Sequence, residues 1–426
     1  MAALDELTAE VATCLDLDEV QLVPAPMGGA AHLAFVVHDP KRSGNGPIAF
    51  LRCETDSTVP AGYGLGRETA VLRVAHRLGF PVPEVLGTPG SPPGLLMNLV
   101  SGTSRPSPEE VEAVGANYLD LIAQVHRVDP AEFGLDSVST VTEATSAELN
   151  RWIQFGEAEG VFEVPLMRLG ARVLAHTLPR DDGRPSLVHG DVGAGNFMSE
   201  GGTVTAMLDW ELAHVGDPHE DMAWLWMRGA HTPFGDPQQR MAEYVAAAGR
   251  ALDPDRLEWH LAFVMWKSCV ALYAAIQRPI GEASFVQNMV ILTYDALLGS
   301  HLHRVLGSSM QLLTQQPVRT AGPQTRLAER VLQSEALSKE ERIIVGYLGD
   351  SAAQARWEHD QLVADRREYL GGDETDLLEL ANRTDDSSLI PLVTVLARQA
   401  DRAALALPNV VRRIERAQRI GLGTAL

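Results

Sequence analysis

An aspartate, an asparagine and a second aspartate, at positions 191, 196 and 209, carry the most chemistry in this sequence. The first two stand five residues apart in the glycine-rich run VHGDVGAGNFM (188–198). The third ends a strand-like stretch inside TAMLDWELAHVGDPHEDMAWLW (205–226). Phosphoryl transfer needs one carboxylate to orient the attacking hydroxyl and accept its proton. It also needs an amide oxygen and a second carboxylate to hold Mg²⁺ against the phosphates. An Asp-x₄-Asn loop followed by a strand-borne acid supplies all three together, whereas either aspartate alone would read as a turn acid or strand-end cap.

Other phosphate and metal patterns fail. Only three lysines occur, Lys41, Lys267 and Lys339, and none follows a glycine, so no GxxxxGK[ST] loop exists. The run GNGPIA (44–49) fits GxGxxA by letter, but Pro47 interrupts it and a strand follows where a dinucleotide fold needs a helix. His219-Glu220 has no histidine four residues on, which removes the zinc-protease pattern. Cys14, Cys53 and Cys269 lie far apart with no CxxC, so neither a disulfide framework nor a cysteine zinc site is expected, and the compartment reads as cytoplasmic.

The elements that must position these groups follow from periodicity and punctuation. Residues 4–19 pattern as an amphipathic helix. Leu33–Val37 and Ile48–Glu54 pattern as strands, joined by the turn-rich DPKRSGNGP. The Gly-rich PAGYGLG (60–66) leads into a helix from Arg67 to Leu78, which the prolines of FPVP end. GLLMNLVSG (94–102) reads as a buried strand broken at Gly102. From Ser107 the pattern turns helical, with a capping hydroxyl, a proline and two acids in the first turn. Helices are expected over 145–178, 219–228, 237–250 and 254–277, with β segments at Leu187–Val188 and Val204–Trp210 between them. The tail has helical periodicity over Thr325–Leu337, Lys339–Leu370 and Leu389–Leu405. The expected division is 1–102 as a small sheet-based lobe, 103–315 as a helical lobe and 316–426 as an added helical segment.

The formal net charge of −21 argues against nucleic-acid binding, which needs a basic surface. Residues 301–426 hold 16 Lys and Arg against 17 Asp and Glu, leaving 19 against 39 for the first 300, so the acidity sits with the motifs. The most apolar run, Leu261 to Ile276, carries Lys267 near its middle and reads as a buried helix; no membrane partner is expected.

HGDxxxxN followed by DWE and GDPxxD resembles the aminoglycoside phosphotransferase-like, choline-kinase-related family. DWELAHVGDPHEDMAWL looks most like the kinase-like domains associated with acyl-CoA dehydrogenases. The resemblance covers about residues 20–300, aided by MNLVSG and VHRVD (125–129), and stops before the tail. It implies an α+β, protein-kinase-like two-lobed fold with a small sheet-based N-lobe and a larger helical C-lobe. It also implies Asp191 as catalytic base and Asn196 and Asp209 as Mg²⁺ ligands. His189 would brace the catalytic loop and Asp221 would anchor it from the helix behind. Arg52 would contact phosphates of ATP or GTP with Glu68 as its ion-pair partner, and Met97, Leu99 and Val100 would line the base pocket. Gly28 and Gly29 would cover the phosphates. Two positions depart from the family: Arg52 stands where a lysine is usual, and Gly28-Gly29-Ala30-Ala31-His32 replaces GGxSN, losing a hydroxyl. Arginine grips phosphate bidentately but is bulkier than lysine.

The expected activity is phosphorylation of a hydroxyl on a small molecule. A hydroxyacyl-CoA or related hydroxy acid ranks first by resemblance, and an aminoglycoside or macrolide second, favoured by the acidic first 300 residues. Lys267 or Arg228 could serve an anionic acceptor. The rival of another class is a weakly active nucleotide-binding regulatory module. His214 and His219 read as surface residues. Tail helices could also join copies of the chain into a homo-oligomer.

Overall fold

The computed structural model describes residues 2–25, 32–42, 46–54, 59–135, 138–229, 232, 234–276, 283–310, 330–331, 333, 357–372, 376–383, 389–405, 412 and 414. Gly28 and Gly29 lie outside them, as do most of Thr325–Leu337 and the first part of Lys339–Leu370. The protein is α+β: a sheet-based N-terminal part and a mostly helical remainder.

Five antiparallel strands form the first sheet in the order β1-β2-β3-β5-β4. They are β1 (Gln21–Pro24), β2 (His32–His38), β3 (Ala49–Glu54), β4 (Val85–Gly87) and β5 (Gly94–Asn98). Alternation along β3 is strict. Ala49, Leu51 and Cys53 are fully buried in a cluster with Val37, Leu96 and, from helix α1 (Ala2–Cys14), Leu7 and Val11. Successive side chains on a strand point to opposite faces, so the same register sends Arg52 away from this cluster. Helix α2 (Leu65–Arg77) carries Glu68, whose side chain is 2% exposed.

Helices α3 (Val111–Arg127), α4 (Val141–Ala158), α5 (Pro165–His176), α6 (Pro218–Gly229), α7 (Pro237–Ala248), α8 (Pro254–Ile276) and α9 (Ala283–Val305) follow. The single helix expected over 145–178 is two. Gly160 turns left-handed at φ 68° and Pro165 opens α5. Ser107–Glu110 is a turn rather than the first helical turn, with the Glu110 and Val111 N–H groups both donating to Ser107 O. The short strands β6 (Ser186–Val188) and β9 (His214–Gly216) pair antiparallel, as do β7 (Phe197–Glu200) and β8 (Thr203–Met207).

The chain forms two compact units. One holds Met1–Phe155 and Pro179–Leu257; the other holds Gly156–Leu178 and Glu258–Gly421. These units do not follow the expected cuts at 102 and 315. In the second unit α10 (Leu377–Arg383) and α11 (Leu389–Leu405) pack among α5 and α9. A Cβ on Gly299 of α9 would stand 2.3 Å from the Ala397 Cβ, so these two helices meet backbone to backbone. Apolar Leu392, Val393, Leu396 and Ala397 are buried there, and Arg172 donates to Ala381 O at 2.9 Å. The buried apolar residues of α11 thus find their partners within their own unit. Helix α8 is long and apolar enough to cross a membrane by length and composition, and 67% of that window is buried. Lys267 is buried in it, its Nζ 5.0 Å from the Phe263 ring centre, not snorkelling to the surface.

Candidate active site

All described residues of the site lie in the first unit. β6 feeds the loop His189–Asn196, and helix α6 holds that loop from behind. Asp221 is fully buried on α6, where its carboxylate accepts the His189 and Gly190 N–H groups, each at 2.9 Å. His126 Nε2 meets Asp221 Oδ2 at 2.9 Å, and its Nδ1 meets the Tyr244 hydroxyl at 2.8 Å. VHRVD therefore contributes a second anchor. Gly190 is required: its φ is 83°, and a Cβ would stand 2.5 Å from Leu212 O. The His189 Nε2–H donates to Leu208 O at 2.9 Å, leaving Nδ1 to accept the Asp191 N–H at 3.3 Å, while Trp210 packs on the ring.

The Asp191 carboxylate receives three contacts. The Asn196 Nδ2 donates to Oδ2 at 2.6 Å and to the Asp191 carbonyl at 2.7 Å. One nitrogen of Arg228 reaches both carboxylate oxygens at 2.7 and 2.6 Å. Burial is the largest influence on Asp191 and raises its pKa. Arg228 pulls the other way, Asp209 adds repulsion, and the net shift is upward. The Asn196 amide nitrogen is committed to Asp191, and its oxygen accepts a long 3.4 Å hydrogen bond from Arg228.

Asp209 sits at the end of the segment after β8 in a left-handed conformation, φ 66° and ψ 54°, which a non-glycine residue adopts at a cost. Arg52 bridges it to α2. One guanidinium nitrogen donates to both Glu68 oxygens at 3.1 and 2.9 Å and to Asp209 Oδ1 at 3.0 Å. The other donates to Glu211 at 3.2 Å. Burial opposes the charge on Arg52, but Glu68, Asp209 and Glu211 outweigh it and raise its pKa. Burial likewise works against Asp209, yet Arg52, with His189 and Arg228, holds that carboxyl below its usual range. The hard oxygens of Asn196 and Asp209 suit Mg²⁺, a fit that Asp209's retained charge strengthens.

Met97 is buried in β5 opposite Phe50, and the strand ends at Asn98, whose side chain accepts the Glu84 N–H at 2.7 Å. Leu99 and Val100 follow the strand, Leu99 exposed and Val100 half-buried. The structure thus gathers these residues in two polar sets, Arg52 with Glu68, Asp209 and Glu211, and Arg228 with Asp191 and Asn196, near enough that Asp209 repels charge on Asp191.

Two participants were not assigned from sequence in these contacts. Glu211 stands in the quoted DWE but was given no role. Arg228 was considered only as an anion site, yet it lies seven residues after Asp221, hence on the same helix face, and that spacing was a usable signal. His214 and His219 are corrected: both are buried, His214 at 2% and His219 at 3% exposure. His219 pairs with Asp217 at 2.7 Å and accepts the Asp253 N–H, so it ties α6 to the start of α8.

Residues 56–260 match the phosphotransferase enzyme family. Acyl-CoA dehydrogenase family member 11 of Rattus norvegicus is 23% identical over 80% of this chain and 51% of its own. Viomycin phosphotransferase of Streptomyces vinaceus is 31% identical over 34% of this chain and 55% of its own. The chain spans about half the length of these curated relatives. A crystal structure of a Ralstonia eutropha protein, provisionally named an aminoglycoside phosphotransferase, shares the fold. Its TM-score is 0.54 at 19% identity, covering 72% of this chain and 99% of that one. The protein-kinase-like fold is thereby shown. The segment that matches the phosphotransferase enzyme family, residues 56–260, contains Asp191, Asn196, Asp209 and Arg228.

Proposed function

We propose that the first unit transfers the γ-phosphoryl group of ATP or GTP to a hydroxyl of a small molecule. The observation that carries this reading is geometric: Asp191 is held by Asn196 and Arg228, and Asp209 is bridged by Arg52 to Glu68, within the segment that matches the phosphotransferase enzyme family; the upward shift at Asp191 and the downward one at Asp209 support it. A raised carboxylate suits proton acceptance, and a lowered one suits holding a cation. In this reading Asp191 accepts the hydroxyl proton as the acceptor oxygen forms its bond to phosphorus and the bond to the leaving diphosphate breaks. Arg52 holds the phosphates, and Glu68 fixes Arg52 from α2. Asn196 and Asp209 hold Mg²⁺, which when bound neutralises phosphate charge. Met97, Leu99 and Val100 line the base pocket, and residues 1–102 supply the nucleotide side, Gly28 and Gly29 included. His189 and Asp221 keep the catalytic loop in place. The reading is of a cytoplasmic enzyme; Cys53 and Cys269 are buried free thiols.

For the acceptor, similarity to the acyl-CoA dehydrogenase family members supports a hydroxyacyl-CoA or related hydroxy acid. The similarity to viomycin phosphotransferase and the acidic first 300 residues support a cationic antibiotic instead. Purified full chain with Mg²⁺, ATP or GTP and a panel of both acceptor classes decides this by ADP or GDP release and mass shift of the acceptor. Transfer to one class names it. Nucleotide binding without turnover on any acceptor overturns the enzyme reading in favour of a regulatory module.

A further inference from the structure

Helix α3 packs against β6, which feeds the catalytic loop, and against β8. It brings to that loop one polar atom that the transfer chemistry above does not use, the Tyr118 hydroxyl. Tyr118 is fully buried, its ring centre 4.8 Å from that of Phe197 and 6.3 Å from that of Phe234. Phe197 directly follows Asn196, so this aromatic cluster holds the chain where the loop ends. A phenylalanine at 118 would fill the same space. The hydroxyl has no hydrogen-bond partner among the described residues, and leaving such a group unpaired in the interior is destabilising.

What the hydroxyl faces is the middle of the loop. Burial is the largest influence on it and raises its pKa, and the Asp221 and Asp191 carboxylates add to that. The Gly193 N–H acts in the opposite direction, as does Arg228. The Gly193 peptide is therefore near enough to act on the phenol oxygen, yet outside hydrogen-bond geometry. Gly193 also links the two working groups of the loop. Its carbonyl accepts the Asn196 N–H at 3.2 Å, and the Asn196 side chain in turn donates to Asp191. A Cβ on Gly193 would stand 2.7 Å from Arg228 Cδ, so the stem of the arginine that holds Asp191 rests on this residue. Any pull on Asn196 by a metal thus reaches the Gly193 peptide directly.

We propose, on the transfer reading above, that Tyr118 is a positioning residue: in the nucleotide-bound state its hydroxyl accepts the Gly193 N–H and fixes the turn that sets Asn196 against Asp191. The ring supplies packing in either state, and the hydroxyl acts only when the loop is engaged.

The full chain and Tyr118→Phe are compared by amide hydrogen exchange of the 188–198 segment, with and without Mg²⁺-ATP, and by steady-state transfer. In wild type, Mg²⁺-ATP should slow exchange at Gly193 about tenfold, and Tyr118→Phe should lose that slowing. The same variant should lower kcat about three- to tenfold, the size of one hydrogen bond, and leave the KM for nucleotide unchanged. Phe234→Leu loosens the same aromatic cluster without touching the hydroxyl. It should lower Tm and keep the slowing at Gly193. Equal slowing in wild type and folded Tyr118→Phe overturns the proposal, as does an unchanged kcat. If Tyr118→Phe does not fold, wild-type exchange at Gly193 that is indifferent to Mg²⁺-ATP overturns it. A wild-type chain that transfers to no acceptor, yet shows the Tyr118-dependent slowing, removes the transfer reading and leaves the Tyr118 contact standing.

Discussion

Two arginines meet the two aspartates of the site, and they leave them in opposite states. Arg52 faces Glu68, Asp209 and Glu211, three acceptors for one guanidinium, and Asp209 ends below its usual pKa. Arg228 faces Asp191 with two oxygens on a single nitrogen, and Asp191 ends above its usual pKa. Both carboxylates lose water, which raises a carboxyl pKa. At Asp209 nearby positive groups outweigh that loss. At Asp191 they do not, because Asp209 itself adds repulsion. The lesson is that an arginine partner does not fix the state of an aspartate; the balance of burial and all surrounding charges does. Asp295 of the second unit gives the limit without any cation: its partners are the Tyr273 hydroxyl and the Cys269 thiol, and burial raises it to about 6.

The comparison breaks first at Asp191. Asp191→Asn should lower transfer by about 10²–10⁴-fold while nucleotide affinity stays within a few-fold, since general-base loss has that size. Wild-type turnover in steady-state assays would remove the base assignment. Asp209→Asn should differ in kind, weakening Mg²⁺-nucleotide binding in calorimetry as well as turnover, because a charged ligand becomes neutral. An unchanged magnesium dependence would move the metal elsewhere.

Arg52→Ala should raise the KM for nucleotide about tenfold or more, whereas Lys41→Ala should not change it. Lys41 pairs with Asp18 on the surface, its side chain 60% exposed, and takes no part in the site. The reverse result would show that the β3 face is misassigned.

Arg228→Met sharpens the contrast through pH. Arg228 lowers the Asp191 pKa, so its removal should raise it further, and the base must be ionised to act. The acidic limb of the kcat/KM profile should move to higher pH. A limb that stays in place, in a variant that still binds nucleotide, would show that Arg228 does not govern Asp191.

The smallest effect on activity and a clear one on stability is expected at Asp295. A carboxyl whose folded pKa is raised contributes stability that is present below its unfolded value of 3.8 and is lost as pH rises through about 6. Asp295→Asn should remove this loss. In chemical denaturation at pH 7 the variant should gain on the order of 3 kcal/mol relative to wild type, and gain nothing near pH 3.5. Equal effects at both pH values would mean that the site is not buried as described.

What the sequence determined by itself was local. Loop composition and the Asp-x₄-Asn spacing placed Asp191, Asn196 and Asp209. The strand over Ile48–Glu54 was expected and its alternation in the structure turns Arg52, which the family resemblance singled out, away from the core, and α11 begins and ends at the expected Leu389 and Leu405. Each of these signals lies within a few residues, where steric limits and side-chain period act directly. The break at Gly160 and Pro165 was legible too, although one helix was expected over 145–178. What only the tertiary structure decided was pairing at long range. Asp191 meets Arg228 across 37 residues, and Arg52 meets Asp209 and Glu211 across 157 and 159. The burial of His214 and His219 was decided the same way. Which charges face one another, and how much water they lose, depends on elements distant in sequence packing together, and no local pattern encodes that distance. The motif supplied the side chains; the contacts and burial that shift Asp191 and Asp209 in opposite directions came from the packing around it.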